Sequence, residues 1–566
     1  MKTKEMIQRL SLFLFALVLT MPAWAQGGSG NESETITIAS KEDWKAFCDR
    51  VNKGQTTLNV KLTQDVDLGS DIVMAGREHP YNYNSFYYYT GTFDGQGHTL
   101  SFSWDAGSRN DIAPFKYVKD ATIKNLRTQG KITTKGDCSS GMVYGALGTT
   151  TLTGCISDVD ITGGNSGLAS SLAAGMVQAV ASDASVHITD CLVKGSITDN
   201  ADESYKAMAG FVFNNNGGTY TLTRCLYVGK NNATNNGYSN TFGADGYGAT
   251  FTDCYYLNTC GKAQGDKITE AQLRNGYVAY KLQKGRESQV WGQTLGTDNE
   301  PQLTADATKR VYEVKFVYNG KEVATRYANS GQTVELPTAE ELLGAGYNPK
   351  MTYMLNFGDF TANTPVTEDK SVDVTVTGTF NIASKEDWKA FCDLVDSGQN
   401  AVDAKMTQDV DLGSDITMLG YDKRYSGTFN GQNHTLKFNW NSGSETRIAP
   451  FYSVDGATIR NLRTEGYIKS ITYGLSGLIY SVDGATTISG CVSAVNITST
   501  YDNGGCDAAG MIECVRDNAN VTITDCLVKG KFHATTEKGR RYMGGFVNNQ
   551  YGKCALISCL YIGENN

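Results

Sequence analysis

Carboxylates, histidines and thiols are the groups through which this chain could do chemistry, and most of them occur twice. Asp65 and Asp67 stand in Leu-Thr-Gln-Asp-Val-Asp-Leu, and Asp409 and Asp411 in the nearly identical Met-Thr-Gln-Asp-Val-Asp-Leu. Residues at i and i+2 of a strand share one face, so either pair could hold Ca²⁺ or divide into an acid and a base. Both roles need further groups from neighbouring segments, and acidic strand edges are common, so the favoured reading is a solvated face. His98 and His434, two of only five histidines, follow equivalent glycine-rich stretches, which suits buried, hydrogen-bonded turn residues better than bases. Asp94, Asp190 and Asp253 are scattered carboxylates without a convergent third partner. No catalytic residue, no metal cage and no cofactor is expected.

Recognition has a different candidate. The first half carries Tyr81-Asn-Tyr83-Asn-Ser-Phe86-Tyr87-Tyr88-Tyr89, where the second has only Tyr421-Asp-Lys-Arg-Tyr425, an insertion of eight residues. Aromatic faces interleaved with Asn can stack on sugar rings and bond their hydroxyls, whereas a loop of this composition can also fold back on its own scaffold. Tyr81, Tyr83, Phe86, Tyr87 and Tyr89 are the candidate ligand-binding residues.

What positions them is a repeat. Gly91-Thr-Phe-Asp-Gly-Gln-Gly-His98 and Ala121-Thr-Ile-Lys-Asn-Leu126 return at 427–434 and 457–462. A finer pattern recurs at Cys155, Cys191, Cys225 and Cys254, spaced by 36, 34 and 29 residues, and again at Cys491, Cys526 and Cys559. Each cysteine closes a short run of alternating apolar and polar residues rich in Thr and Ile, the signature of a strand with one buried face. A Gly followed by two apolar residues precedes each run, as in Gly141-Met-Val, Gly175-Met-Val, Gly210-Phe-Val and Gly510-Met-Ile. One repeat is too small to close a core, so repeats must stack, and a parallel β-helix meets that requirement. Equivalent residues would then lie about 4.8 Å apart. The cysteines become an inward column in which Leu126 takes the same place one repeat earlier. Their Cβ vectors run parallel, so the thiols should stay free, with Cys254 and Cys260 as the pair to except.

The ends and joints follow. Residues 1–25 combine Lys2, Lys4 and Arg9, an apolar run and Ala23-Trp-Ala25, a secretory signal with its cleavage site. No later apolar run approaches the ~20 residues that span a bilayer, so no transmembrane segment is expected. The formal charge of −9 becomes −11 without a signal that carries three Lys/Arg and one Glu, which argues against nucleic acid as partner. Ser40 caps an amphipathic helix over 41–52, with Trp44, Phe47, Cys48 and Val51 on one face; the same string at 382–392 opens the second copy, and both helices would cover the end of a coil. Ile268–Leu282 begins with a capping box and closes copy one. Asn319-Gly320 marks a hairpin in the segment 307–380. The second copy runs over 381–566 without a counterpart of the fourth cysteine strand, so the chain is expected to be a fragment.

Taken together, Trp44, Asp65-Val-Asp67, Gly91–His98, Ala121–Leu126 and the Gly-apolar strands resemble GLUG-motif bacterial surface proteins. That resemblance implies pectin-lyase-like right-handed parallel β-helices over 26–306 and 381–566. Residues 307–380 are similar to a Listeria–Bacteroides repeat, a β-grasp-like spacer, with Met351-Thr-Tyr353 departing from its usual Gly-Trp-Tyr. The expected fold class is therefore all-β: two β-helix (solenoid) domains with short N-terminal capping helices, linked by a small β-grasp-like module. The resemblance implies an exported, cell-surface or extracellular protein that binds a glycan or a host surface protein without enzymatic activity. The rival function is a polysaccharide lyase or glycoside hydrolase of β-helix type, which would need paired carboxyls or a base beside Ca²⁺ or Arg.

Overall fold

The computed structural model describes residues 35–78, 86–164, 172–214, 216–235, 237–243, 248–538 and 542–565; residues 1–25, expected as a signal sequence, and Tyr81 and Tyr83 lie outside them. The chain is all-β with large parallel sheets, an arrangement consistent with a β-helix or solenoid. It divides into two compact units: 1–313 with 327–333 and 365–369, and 314–326 with 334–364 and 370–566.

In the first unit each repeat adds one strand to each of several sheets. One eight-stranded sheet runs Thr35–Ile38, Asn59–Leu62, Thr92–Asp94, Thr122–Lys124, Thr149–Thr153, Ser185–Thr189, Thr219–Thr223 and Ala249–Thr252. The pairing is parallel and in register: Ile123 lies beside Leu152, then Ile188, Leu222 and Phe251. Alternation along each strand turns this row inward, and Ile123, Leu152, Ile188 and Leu222 are fully buried. A second large sheet takes Thr99–Asp105, Arg127–Thr133 and Ile156–Gly163 in the same order. A third, three-stranded sheet joins Phe115–Lys119, Val143–Leu147 and Val177–Val180.

The corner between the first two sheets explains the cysteine period. Asn125, Gly154, Asp190, Arg224 and Asp253 all have left-handed backbone, as do Asn461, Gly490, Asp525 and Ser558 in the second unit. Asn, Asp and Gly adopt this region at least cost, hence their frequency there. The next residue is Leu126 or a cysteine, and Leu126, Cys155, Cys191, Cys225 and Cys254 are all buried. Each of these thiols bonds the carbonyl two residues before it, as Cys155 does to Thr153 O at 3.5 Å and Cys191 to Thr189 O at 3.3 Å. Cysteine fits because it is small, apolar and able to use that carbonyl. The glycine period has a steric cause: a Cβ on Gly175 would lie 2.1 Å from Gly210 O, and one on Gly210 2.1 Å from Thr241 O.

All fourteen cysteines are free. That includes Cys254 and Cys260, against the expectation for this pair. The strand Tyr255–Tyr256 carries the chain away from the corner, so the Cys254 thiol bonds Leu222 O while the Cys260 thiol faces Met208 O.

The helix Lys41–Asn52 has Ser40 as its cap and buries Trp44, Phe47, Cys48 and Val51. Trp44 meets Phe93 and Phe115 edge-on, and its indole N–H donates to Val73 O at 3.0 Å. In the second unit Lys385–Asp396 repeats the arrangement, with Trp388 donating to Thr417 O. The closing segment is broken: Glu270–Arg274 and Tyr277–Gln283 are separate helices because Gly276 is left-handed. It is fastened through Asp190, whose carboxylate takes both Arg286 guanidinium nitrogens at 2.7 and 2.9 Å and the Trp291 indole at 3.0 Å.

The second unit builds the same sheets from Asp403–Met406, Thr428–Asn430, Thr458–Arg460, Ala485–Ser489, Asn520–Thr524 and Lys553–Ile557. Its first strand, Lys370–Ile382, is long: Lys370–Val374 runs parallel to Val314–Tyr318, and the remainder pairs antiparallel with Met351–Asn356. Asn319 and Gly320 both have positive φ at the hairpin, as an Asn-Gly turn requires.

Candidate functional site

Among the aromatic residues of the insertion, Phe86 and Tyr87 form a strand that pairs antiparallel with Arg77–Glu78. Phe86 thereby reaches the third sheet, its ring 4.9 Å from Tyr117 and 5.7 Å from Tyr88. Tyr117 in turn meets Tyr144 of the next repeat at 5.5 Å, nearly perpendicular. These four rings wall a cleft of about 170 Å³ floored by Gly145, Ala146, Ala179 and Ala181. Space remains beside Tyr117 because its register partner in the next repeat is Gly145, followed by Ala179.

The cleft's polar end is fixed by charge. Glu78 accepts from Tyr117 Oη at 2.8 Å and from Lys116 Nζ at 3.0 Å, and the same ammonium lies 3.7 Å from Asp111. Asp111, which also bonds Tyr144, has its carboxyl pushed upward, chiefly by burial. Burial opposes ionisation of Glu78 as well, yet the Tyr117 and Lys116 hydrogen bonds outweigh it and hold that carboxyl below its usual range. Burial first, then these carboxylates, raise both tyrosines, so the two phenols stay protonated. The carboxylates and the ammonium stand behind the phenols; the described lining of the cleft holds aromatic rings, glycine and alanine, Leu147 and the Asn216 amide.

Of the residues the sequence singled out, Phe86 is in the cleft and Tyr87 stands beside it, with Arg77 over its ring at 5.7 Å. Tyr89 is fully buried and donates to Leu58 O at 2.9 Å, so it presents no face to solvent. Tyr425 does the same with Val402 O, and this recurrence two residues before Gly91 and Gly427 was the available signal for a scaffold role. Tyr88, Tyr117 and Tyr144 went unselected. Tyr117 and Tyr144 belong to separate repeats, and only strand register brings them together.

The paired aspartates connect neighbouring strands. Asp65 accepts from Thr99 N at 2.8 Å and lies 3.4 Å from His98 Nδ1, and Asp67 accepts from Gly69 N. Asp409 and Asp411 repeat this with Thr435, His434 and Gly413. The histidines differ from expectation: His98 and His434 are about a third exposed, because their partners are surface carboxylates. No group of three His, Cys, Asp or Glu arranged for a metal occurs among the described residues. No described helix is long and apolar enough to cross a membrane. A second cleft of about 490 Å³ lies between Asp94, Gln96, Gly97 and Arg127 and the closing residues Gln289, Val290 and Leu303.

No family model matches the chain, and no curated protein aligns with it. A solved structure described as a "putative immunoglobulin A1 protease" from Bacteroides ovatus is similar to 49% of this chain and 94% of its own, at 14% identity and a TM-score of 0.31.

Proposed function

We propose that this is an exported bacterial surface or secreted protein, a non-enzymatic scaffold that binds an extracellular glycan through the aromatic cleft of its first unit. In this reading the stacked sheets are two right-handed parallel β-helices of GLUG type over 26–306 and 381–566, joined by a β-grasp-like spacer at 307–380. The observation that carries it is the cleft of Phe86, Tyr88, Tyr117 and Tyr144: four aromatic rings, three of them phenols and two of those held protonated, beside small residues. Such faces stack on sugar rings, and fixed phenols bond their hydroxyls at little rotamer cost.

One observation favours the rival hydrolase. Glu78 and Asp111 flank one ammonium with their carboxyls driven in opposite directions, the pattern of an acid and base pair. Screening the mature chain against neutral polysaccharides, for binding and for shortening, separates the two. Binding lost in Tyr88→Ala and Tyr144→Ala without any change in chain length supports the scaffold; shortening that depends on Glu78 and Asp111 supports the hydrolase. A host protein captured in place of a glycan would overturn the glycan reading.

A further inference from the structure

The second unit repeats the third sheet but changes what that sheet displays. Tyr421, Tyr452 and Tyr480 form a row, ring to ring at 4.8 and 5.3 Å, in which Tyr421 is 58% exposed, Tyr452 half-buried and Tyr480 only 8% exposed, so the open stacking face is that of Tyr421 and Tyr452. Beside it Tyr473 and Tyr501 pair at 5.6 Å. Arg447 sits between the two groups: its guanidinium lies 5.8 Å over the Tyr480 ring, it bonds Tyr452, and its backbone N–H donates to Tyr473 O. No carboxylate pairs with Arg447 among the described residues.

Its counterpart is informative. Ile112 and Ile448 bridge to Ser139 and Leu475 in the same way, which aligns Arg447 with Asp111. Both have left-handed backbone, with φ near 65° and 63°. The corner keeps its shape while its charge is reversed; Lys116 of the first unit gives way to Tyr452 and Arg77 to Tyr421, while Glu78 has Asp422 as its counterpart. An arginine held on an aromatic face keeps a planar fork of donors suited to a carboxylate or sulfate, and without a carboxylate partner no ion pair has to break before such a ligand binds.

We infer that the Tyr421–Tyr452–Tyr480 row with Arg447 is a second saccharide site, selective for an acidic sugar whose ring stacks on tyrosine and whose carboxylate or sulfate meets the guanidinium. This rests on the glycan reading above and extends it to a different ligand class. The mature full-length chain is titrated with a hexuronate oligosaccharide, its carboxyl-reduced counterpart and a sulfated neutral oligosaccharide. At least one acidic ligand should bind tenfold or more tightly than the reduced one, and which of them does so identifies the anion. Arg447→Asn and Arg447→Asp, both compatible with left-handed backbone, should abolish that preference by lowering affinity for the acidic ligand to that for the reduced one; Tyr421→Ala should weaken both. Equal affinity for acidic and reduced ligands, or a preference that survives both Arg447 substitutions, overturns the inference. If that preference is lost instead in Tyr88→Ala and Tyr144→Ala, the first-unit cleft is the acidic site and only this inference falls.

Discussion

Asp94 shows how a single carboxylate can be read from the difference between copies. It accepts from Gln96 N at 3.0 Å and Asn125 Nδ2 at 3.1 Å, with Lys124 at 3.4 Å, and burial, the largest single influence, is outweighed so that its carboxyl is lowered. A lowered folded-state value contributes stability above the ordinary carboxylate range, and that contribution is lost as pH falls through the folded value. Asn430 takes the place in copy two and keeps the bond from Gln432 N. Asp94→Asn should therefore leave the fold intact and cost under about 1 kcal/mol at pH 7, since the amide keeps the backbone bond, with a smaller deficit in acid below the ordinary carboxylate range. Denaturant midpoints at pH 7 and in acid check this, and an equal deficit at both would remove the electrostatic account. Trp44 is the opposite case. Fully buried between Phe47, Phe93 and Phe115, it should cost about 3–5 kcal/mol when replaced by Ala, read as an earlier unfolding transition.

At the scale of elements, the closing segment depends on a buried ion pair. Asp190 and Arg286 are 7% and 14% exposed, so Asp190→Ala strands a guanidinium and an indole N–H in a dry site. The expected loss is about 3–5 kcal/mol, with much of it recovered when Arg286 is replaced by Met as well; a double-mutant cycle on thermal unfolding measures the coupling. The sequence placed this segment and its capping box, because helix signals are local. It could not pair Asp190 with Arg286, since 96 residues separate them and neither carries a motif. The aromatic cleft divides in the same way. Phe86 is legible as part of an insertion, Tyr89 belongs to the scaffold as its counterpart Tyr425 does, and Tyr117 with Tyr144 require the register of the third sheet. Excising the eight inserted residues should leave the strands around it folded, as copy two shows, while removing two of the four cleft rings and with them neutral-glycan binding. Retained binding would move the site to the cleft beside Asp94 and Arg127.

Over the whole molecule, one geometric fact governs the chemistry of the corner cysteines, Cys155, Cys191, Cys225 and Cys254 in the first unit and Cys491, Cys526 and Cys559 in the second. In-register parallel stacking repeats each side chain's direction from one strand to the next, so neighbouring thiols point the same way. Their sulfurs turn to backbone: Cys191 to Thr189 O, Cys254 to Thr252 O, Cys526 to Thr524 O, and Cys155 N donates to the Cys191 sulfur at 3.4 Å. A disulfide needs converging Cβ vectors and a near-perpendicular torsion, which would pull two repeats out of register. Burial raises the thiols of Cys48, Cys191, Cys225 and Cys392, so that little reactive thiolate forms there, while Cys254 and Cys526 are lowered by hydrogen bonds from the neighbouring thiols of Cys225 and Cys491 and are shielded by their burial alone. An oxidising environment would then meet few accessible thiolates in the folded state. Alkylation of the native protein should label almost none of the column, whereas labelling after denaturation without reductant should reach all fourteen. A denatured count of twelve or fewer would mean that a bridge has formed, and mapping it to adjacent column residues would show that the strand stack yields where this geometry says it holds.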